Sequence, residues 1–225
     1  MFFDPTFLLI VPVLIFAIWA QARVRSTYTK YLRVPASRGL TGAESARRLL
    51  DAAGLSAVTI ERTPGQLTDH YDPRKRALFI SDDNYGGRSV AALGVACHEA
   101  GHAIQHGQAF APLAMRQAIW PVAGFGSWLA WPLFFLGFLF HTKALMDVGI
   151  IVFSVAAFFA LITLPVEFDA SRRAIALLDQ HGLVSHEEEK GVRAVLGAAA
   201  LTYVAAALMA VVQLARMLLL RNSRN

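Results

Sequence analysis

Two histidines and a glutamate stand in the pattern His-Glu-x-x-His within Cys97-His98-Glu99-Ala100-Gly101-His102-Ala103. On a helix, residues four apart share a face, so His98 and His102 can present two imidazoles to one metal ion, with Glu99 beside them. Zinc peptidases hold zinc on such a pair and use the intervening glutamate as a base. From the His and Glu frequencies of the chain, about 0.01 such patterns are expected by chance, so the match has weight. Cys97 lies roughly 100° around the helix from His98 and reads as a small buried apolar residue. It is the only cysteine, which excludes an internal disulfide and a cysteine-rich zinc site.

A catalytic zinc takes three protein ligands and leaves a fourth position for water. Two residues compete for the third place. His106 continues the series along one helix face, but it sits roughly 12 Å along the axis from His98 and reaches the same ion only if the helix breaks. In the longer His-Glu-x-x-His-x-x-Gly-x-x-His pattern a glycine permits that break, whereas here Ala103, Ile104 and Gln105 intervene. Glu167 is the better candidate. It lies 65 residues after His102, and the apolar hairpin between them returns the chain to the same side of a bilayer. Alone it would read as a solvated glutamate at a helix amino terminus; two histidines lacking a third ligand favour it as a candidate to complete a His-His-Glu set.

The elements that must carry these residues are oily. Of 225 residues 56% are hydrophobic and 16% charged, and the mean hydropathy is +0.46, which marks a membrane protein. The net charge of +5 suits contact with anionic lipid. No nucleic-acid motif or aromatic-interleaved basic groove accompanies it, so nucleic acid is not expected as a partner. Spans are expected at about 7–22, 120–140, 145–164 and 195–215, the middle two forming a hairpin turned at His141-Thr142-Lys143-Ala144. Ala20-Gln21-Ala22 resembles a signal-peptidase site. However, Met1-Phe2-Phe3-Asp4 carries no positive charge and the basic cluster follows the apolar run, which favours a retained anchor with its amino terminus outside the cytoplasm.

Residues 23–118 form the long polar region. Thr41-Gly-Ala-Glu44 is a capping box for a helix that Gly54 ends. Val58–Glu61, Leu67–Tyr71 and Ala77–Ser81, with a turn at Asp72–Arg76, predict a small antiparallel sheet. Asp82–Gly87 reads as a loop, and Ser89 caps the metal helix, which runs to about Gly107. After Pro165 a short separate helix is expected over 167–180, and Ser185-His-Glu-Glu188 caps the last helix. The fold class is thus a mainly α integral membrane protein of about four spans with a small α+β zincin-like region, taken as one domain over 1–225. The polar segments hold 17 Lys and Arg, against 1 in the hairpin turn and 3 beyond Ala215, which predicts a cytoplasmic site. Arg216, Arg221 and Arg224 conflict with that side, and an interfacial last helix would remove the conflict.

HEAGH, the hairpin and Leu164-Pro-Val-Glu-Phe-Asp-Ala-Ser-Arg-Arg-Ala174 together resemble the YugP-type membrane zinc metallopeptidases, a bacterial group similar in layout to HtpX and the CAAX-processing proteases. The likeness covers essentially the whole chain, including the first span, residues 67–73 and residues 200–207. It implies a multi-pass protein of the bacterial inner membrane, with one zinc on His98, His102 and Glu167 and Glu99 as general base. Zinc would lower the pKa of a water to about 7 while Glu99 takes its proton, and a peptide or membrane-protein substrate would be cut at the cytoplasmic face. The HtpX-like pattern Glu-x-x-x-Asp would put an aspartate at 171, where this chain has Ser171. A partner for the far side of a zinc histidine is therefore unassigned, because Asp169, two residues from Glu167, faces elsewhere on a helix.

Arg172, Arg173, His70 and Tyr71 are candidates for stabilising an oxyanion, with lipid contact the plainer reading of the arginines. Ala77–Ser81 is a candidate to receive an extended substrate by strand addition, or is simply a core strand. Two other readings compete. An intramembrane protease of the site-two type is disfavoured because Arg88 and His106 bracket the motif and the run between is too short in apolar residues to span. A non-catalytic zinc scaffold is disfavoured because structural zinc normally has four protein ligands and no adjacent carboxylate base.

Overall fold

The computed structural model describes residues 5–223. Met1–Asp4 and Arg224, which entered the topology argument, lie outside the described residues. A short 3-10 turn, Pro5–Leu9, leads into α1 (Ile10–Leu32), which runs without interruption through Ala20–Ala22. There follow α2 (Gly42–Ala52), β1 (Thr59–Thr63), β2 (His70–Asp72), β3 (Ala77–Ser81), α3 (Asp82–Tyr85), α4 (Val90–Gly107), α5 (Ala111–Leu139), α6 (Lys143–Gln180) and α7 (His186–Asn222). Among the described residues four helical segments, Thr6–Leu32, Ala111–Leu139, Lys143–Gln180 and His186–Asn222, are long and apolar enough to cross a membrane, so the chain is a mainly α membrane protein. The helix bearing His98 and His102 is not among them, against the intramembrane reading.

The chain forms two compact units. The apolar one comprises residues 5–20, 114–165 and 201–223 of those described. Within it α5 and α6 pack through glycines: a Cβ on Gly137 would lie 2.6 Å from the Met146 nitrogen, and one on Gly149 would lie 2.8 Å from that of Phe134. Small residues of this kind let apolar helices approach where lipid supplies no hydrophobic drive. The last helix ends beside the start of α6, where the Arg221 guanidinium donates to both Asp147 carboxylate oxygens at 2.9 and 3.0 Å. That pairing neutralises one of the tail arginines that conflicted with the charge count. Met217 is buried among Phe134, Met146 and Phe153, and α7 is one continuous helix.

The polar unit comprises Gln21–Leu113 and Val166–Ala200. Its core gathers Leu49 and Leu50 of α2, Leu78 and Ile80 of β3, Leu93 of α4, Leu178 of α6 and Val192 of α7. The capping box holds: the Glu44 amide donates to Thr41 Oγ1 and the Thr41 amide to Glu44 Oε2. Ser89 likewise caps α4 by accepting from the Ala92 amide, and Ser185 with Glu188 caps α7.

Four expectations need correction. Asp82–Tyr85, expected within a loop, forms the short helix α3. The sheet is mixed, in the order β1-β3-β2, with β1 parallel and β2 antiparallel to β3. Ala77-Leu-Phe-Ile-Ser81 is the most apolar strand and takes the buried centre, leaving polar β1 and β2 at the edges. Because both edges of β3 are paired, it cannot accept a substrate strand. β2 begins only at His70, since Leu67 has φ 55°, a left-handed conformation incompatible with a strand. Finally, 167–180 is no separate helix: α6 continues through Pro165. A proline lacks the N–H for one helical bond, a loss that membrane helices tolerate. At 38 residues this helix is about 57 Å long, nearly twice the ~30 Å hydrocarbon thickness, so much of it must project beyond a bilayer.

Candidate metal centre

α4 and α6 bring the predicted residues together inside the polar unit. Nε2 of His98 lies 3.2 Å and Nε2 of His102 3.5 Å from Oε2 of Glu167, and one donor atom from each of the three lies within 4.8 Å of the others. The two imidazoles meet edge to face, their planes 82° apart, so they approach one point from different directions. The spacing of four in α4 puts both rings on one face. Glu167 reaches them because the two helices run antiparallel at close range, with His98 opposite Ser171, Gly101 opposite Ala170 and Gln105 opposite Val166.

Gly101 permits this approach. A Cβ there would lie 2.5 Å from the Ala170 carbonyl oxygen and 3.1 Å from its carbon, distances that only a backbone shift relieves. Gly101→Ala should therefore push α6 and Glu167 away from the histidines. We expect a stability loss of about 1–3 kcal/mol, typical of overpacking, together with weaker zinc binding, read by thermal unfolding and zinc titration. Native behaviour in both would contradict the role of this contact.

The far side of each ring is also occupied. Nδ1 of His98 lies 3.1 Å from Ser171 Oγ, so the hydroxyl fills the place where an aspartate was expected. Nδ1 of His102 lies 3.0 Å from Oε1 of Gln105. Asp169 touches neither histidine, as its offset from Glu167 dictates, yet it is buried and accepts from Gln105 Nε2 at 3.0 Å. Gln105 was not singled out by sequence. The available signal was its position three residues after His102, on the same face of an otherwise apolar turn.

Glu99 is buried, 7% exposed. Burial pushes its carboxyl above the usual carboxylate range, the His98 and His102 charges pull it partly back, and Glu167 and Asp69 add to the rise. Cys97 is fully buried and its thiol is pushed up by desolvation, which suits a packing role. His106 stands apart from the cluster, its Nδ1 2.8 Å from the Tyr71 hydroxyl. Of the other oxyanion candidates, His70 is exposed and stacks on Phe79 at 4.9 Å, while Arg172 and Arg173 both pair with Asp169.

The donor set fits zinc on its own chemistry. Two imidazole nitrogens and one carboxylate oxygen converge, and the opposite ring nitrogens have partners of their own, the arrangement a metal-binding histidine requires. A family model described as "Putative neutral zinc metallopeptidase" matches residues 6–222. Over 202 residues, 90% of either chain, the sequence is 50% identical to a protein of Bacillus subtilis (strain 168) named "Putative membrane protease YugP". No solved structure matches the chain.

Proposed function

Because the chain belongs to the neutral zinc metallopeptidase family, we propose that it is a membrane-anchored zinc endopeptidase that cuts membrane proteins or peptides at the cytoplasmic face. The observation that carries this reading is the convergence of His98, His102 and Glu167 beside a buried Glu99. In it the three converging residues hold one zinc ion per chain. Bound zinc supplies a Lewis acid, which lowers the pKa of a water to about 7 and polarises a carbonyl.

The remaining chemistry belongs to the chain. Glu99 accepts the proton that the attacking water loses and returns it to the departing amine. Ser171 and Gln105 keep the two imidazoles aimed inward. An extended substrate cannot pair with β3. The outer edge of β2 has no partner strand among the described residues, and Tyr71 on that strand touches His106 of the metal helix, so this edge is where a peptide backbone would run past the site.

Two experiments test the reading. Membrane proteins that accumulate when Glu99→Gln replaces the native enzyme in cells should be cut internally by the purified native enzyme; if none is cut, proteins of the membrane are not its substrates. For orientation, trypsin should cleave the exposed Arg74–Arg76 turn in inside-out vesicles and spare it in right-side-out ones. The opposite pattern would place the site outside the cytoplasm.

A further inference from the structure

Gln105 is fully buried within α4 and hydrogen-bonds in three directions. Its Nε2 lies 2.8 Å from the Val166 carbonyl oxygen and 3.0 Å from Asp169 Oδ2. The carbonyl can only accept, and so can Asp169, whose carboxylate is paired with Arg172 and Arg173. The amide nitrogen of Gln105 must therefore face α6. That leaves Oε1 for Nδ1 of His102, and an amide oxygen only accepts, so this ring nitrogen must carry a proton. In the neutral imidazole, Nε2 is then the bare nitrogen, directed toward the Glu167 side. His98 has no equivalent determinant, because the Ser171 hydroxyl can rotate to serve either tautomer.

We propose that Gln105, oriented by Asp169, is a positioning residue that holds His102 in the tautomer offering Nε2 to the metal. A carboxylate two residues beyond Glu167 thus governs the metal centre without touching it. Gln105 also ties His102 to the backbone of Val166, the residue before Glu167, and so couples the two helices that supply the donors. This inference rests on the reading of His98, His102 and Glu167 as zinc ligands.

An exchange of amide and carboxylate between the two positions tests it. Gln105→Glu has the same shape, but it turns an oxygen toward the Val166 carbonyl and the Asp169 carboxylate, which only accept, so the repelled side chain leaves its place at His102 Nδ1. Zinc affinity, measured by competition with a chromophoric chelator on the purified full chain, should fall by about 10–100-fold, the usual cost of losing an outer partner of a metal ligand. Adding Asp169→Asn supplies an N–H to the new carboxylate and should restore most of that loss. If Gln105→Glu alone does not fold, recovery of folded, zinc-binding protein in the double variant reads the same coupling.

Ser171→Ala should also weaken zinc, and Asp169→Asn should not correct it. Near-native affinity in Gln105→Glu, or a double variant no better than the single one, would overturn the proposal. If instead the native chain binds no zinc, or His102→Ala binds it as well as native, the ligand reading itself has failed.

Discussion

Glu99→Gln should lower peptide cleavage by about 10²–10⁴-fold, the range general acid–base catalysis contributes, while leaving zinc bound. The substitution preserves the volume of a side chain that is almost wholly buried, so the fold has little reason to respond. It also leaves untouched the three donors that converge, since Glu99 is not one of them. What it removes is a carboxylate able to take a proton. Zinc content by elemental analysis and cleavage of an unfolded polypeptide, measured on the same preparation, separate the two effects. Undiminished cleavage would show that another group is the base; loss of zinc would show that Glu99 helps build the metal site.

Glu167→Ala should cost more zinc affinity than the 10–100-fold associated with outer partners, because it removes one of three donor groups. The histidine nitrogens at 3.2 and 3.5 Å from Glu167 would then face an empty space, and two imidazoles alone make a poor site. His106→Ala is the informative comparison. It removes an imidazole from the same helix, one whose Nδ1 faces Tyr71, and should leave zinc content unchanged. Zinc retained in Glu167→Ala and lost in His106→Ala would reverse the assignment. Equal retention in both would mean that the metal, if bound, sits elsewhere.

The parts of this architecture legible in sequence are those set by local rules. A spacing of four placed His98 and His102 on one face, capping residues marked the starts of α2, α4 and α7, and long apolar runs marked the membrane helices. Glu167 was legible only indirectly, as an acidic residue that a hairpin brings back toward an incomplete ligand set. The sheet order was not legible from the turn at Asp72–Arg76. That turn determines how β2 meets β3 but not that β3, the most apolar strand, inserts between the other two. Nor did Pro165 end its helix, because one absent N–H is a small perturbation in a helix of 38 residues.

The support around the histidines depends on tertiary approach and so was the least legible. Ser171 stands where a carboxylate was expected and meets His98 with a hydroxyl. Asp169, set aside because it cannot face the metal, acts through Gln105, whose importance appears only when α4 and α6 lie side by side. Gly101 belongs to the same class of residue. Within the motif it looks like a neutral spacer, yet its lack of a side chain lets Ala170 approach and brings Glu167 within reach.

Whether this chain is a zinc endopeptidase is tested most directly by mass spectrometry of products from an unfolded polypeptide incubated with the enzyme in lipid vesicles. The sample would be followed before chelation, after chelation and after zinc is returned. The expected result is cleavage at internal peptide bonds, lost when zinc is stripped and regained as about one zinc per chain, as a single three-ligand site requires, is restored. No internal cleavage by the zinc-loaded chain, or cleavage that continues unchanged in the stripped protein, would contradict it.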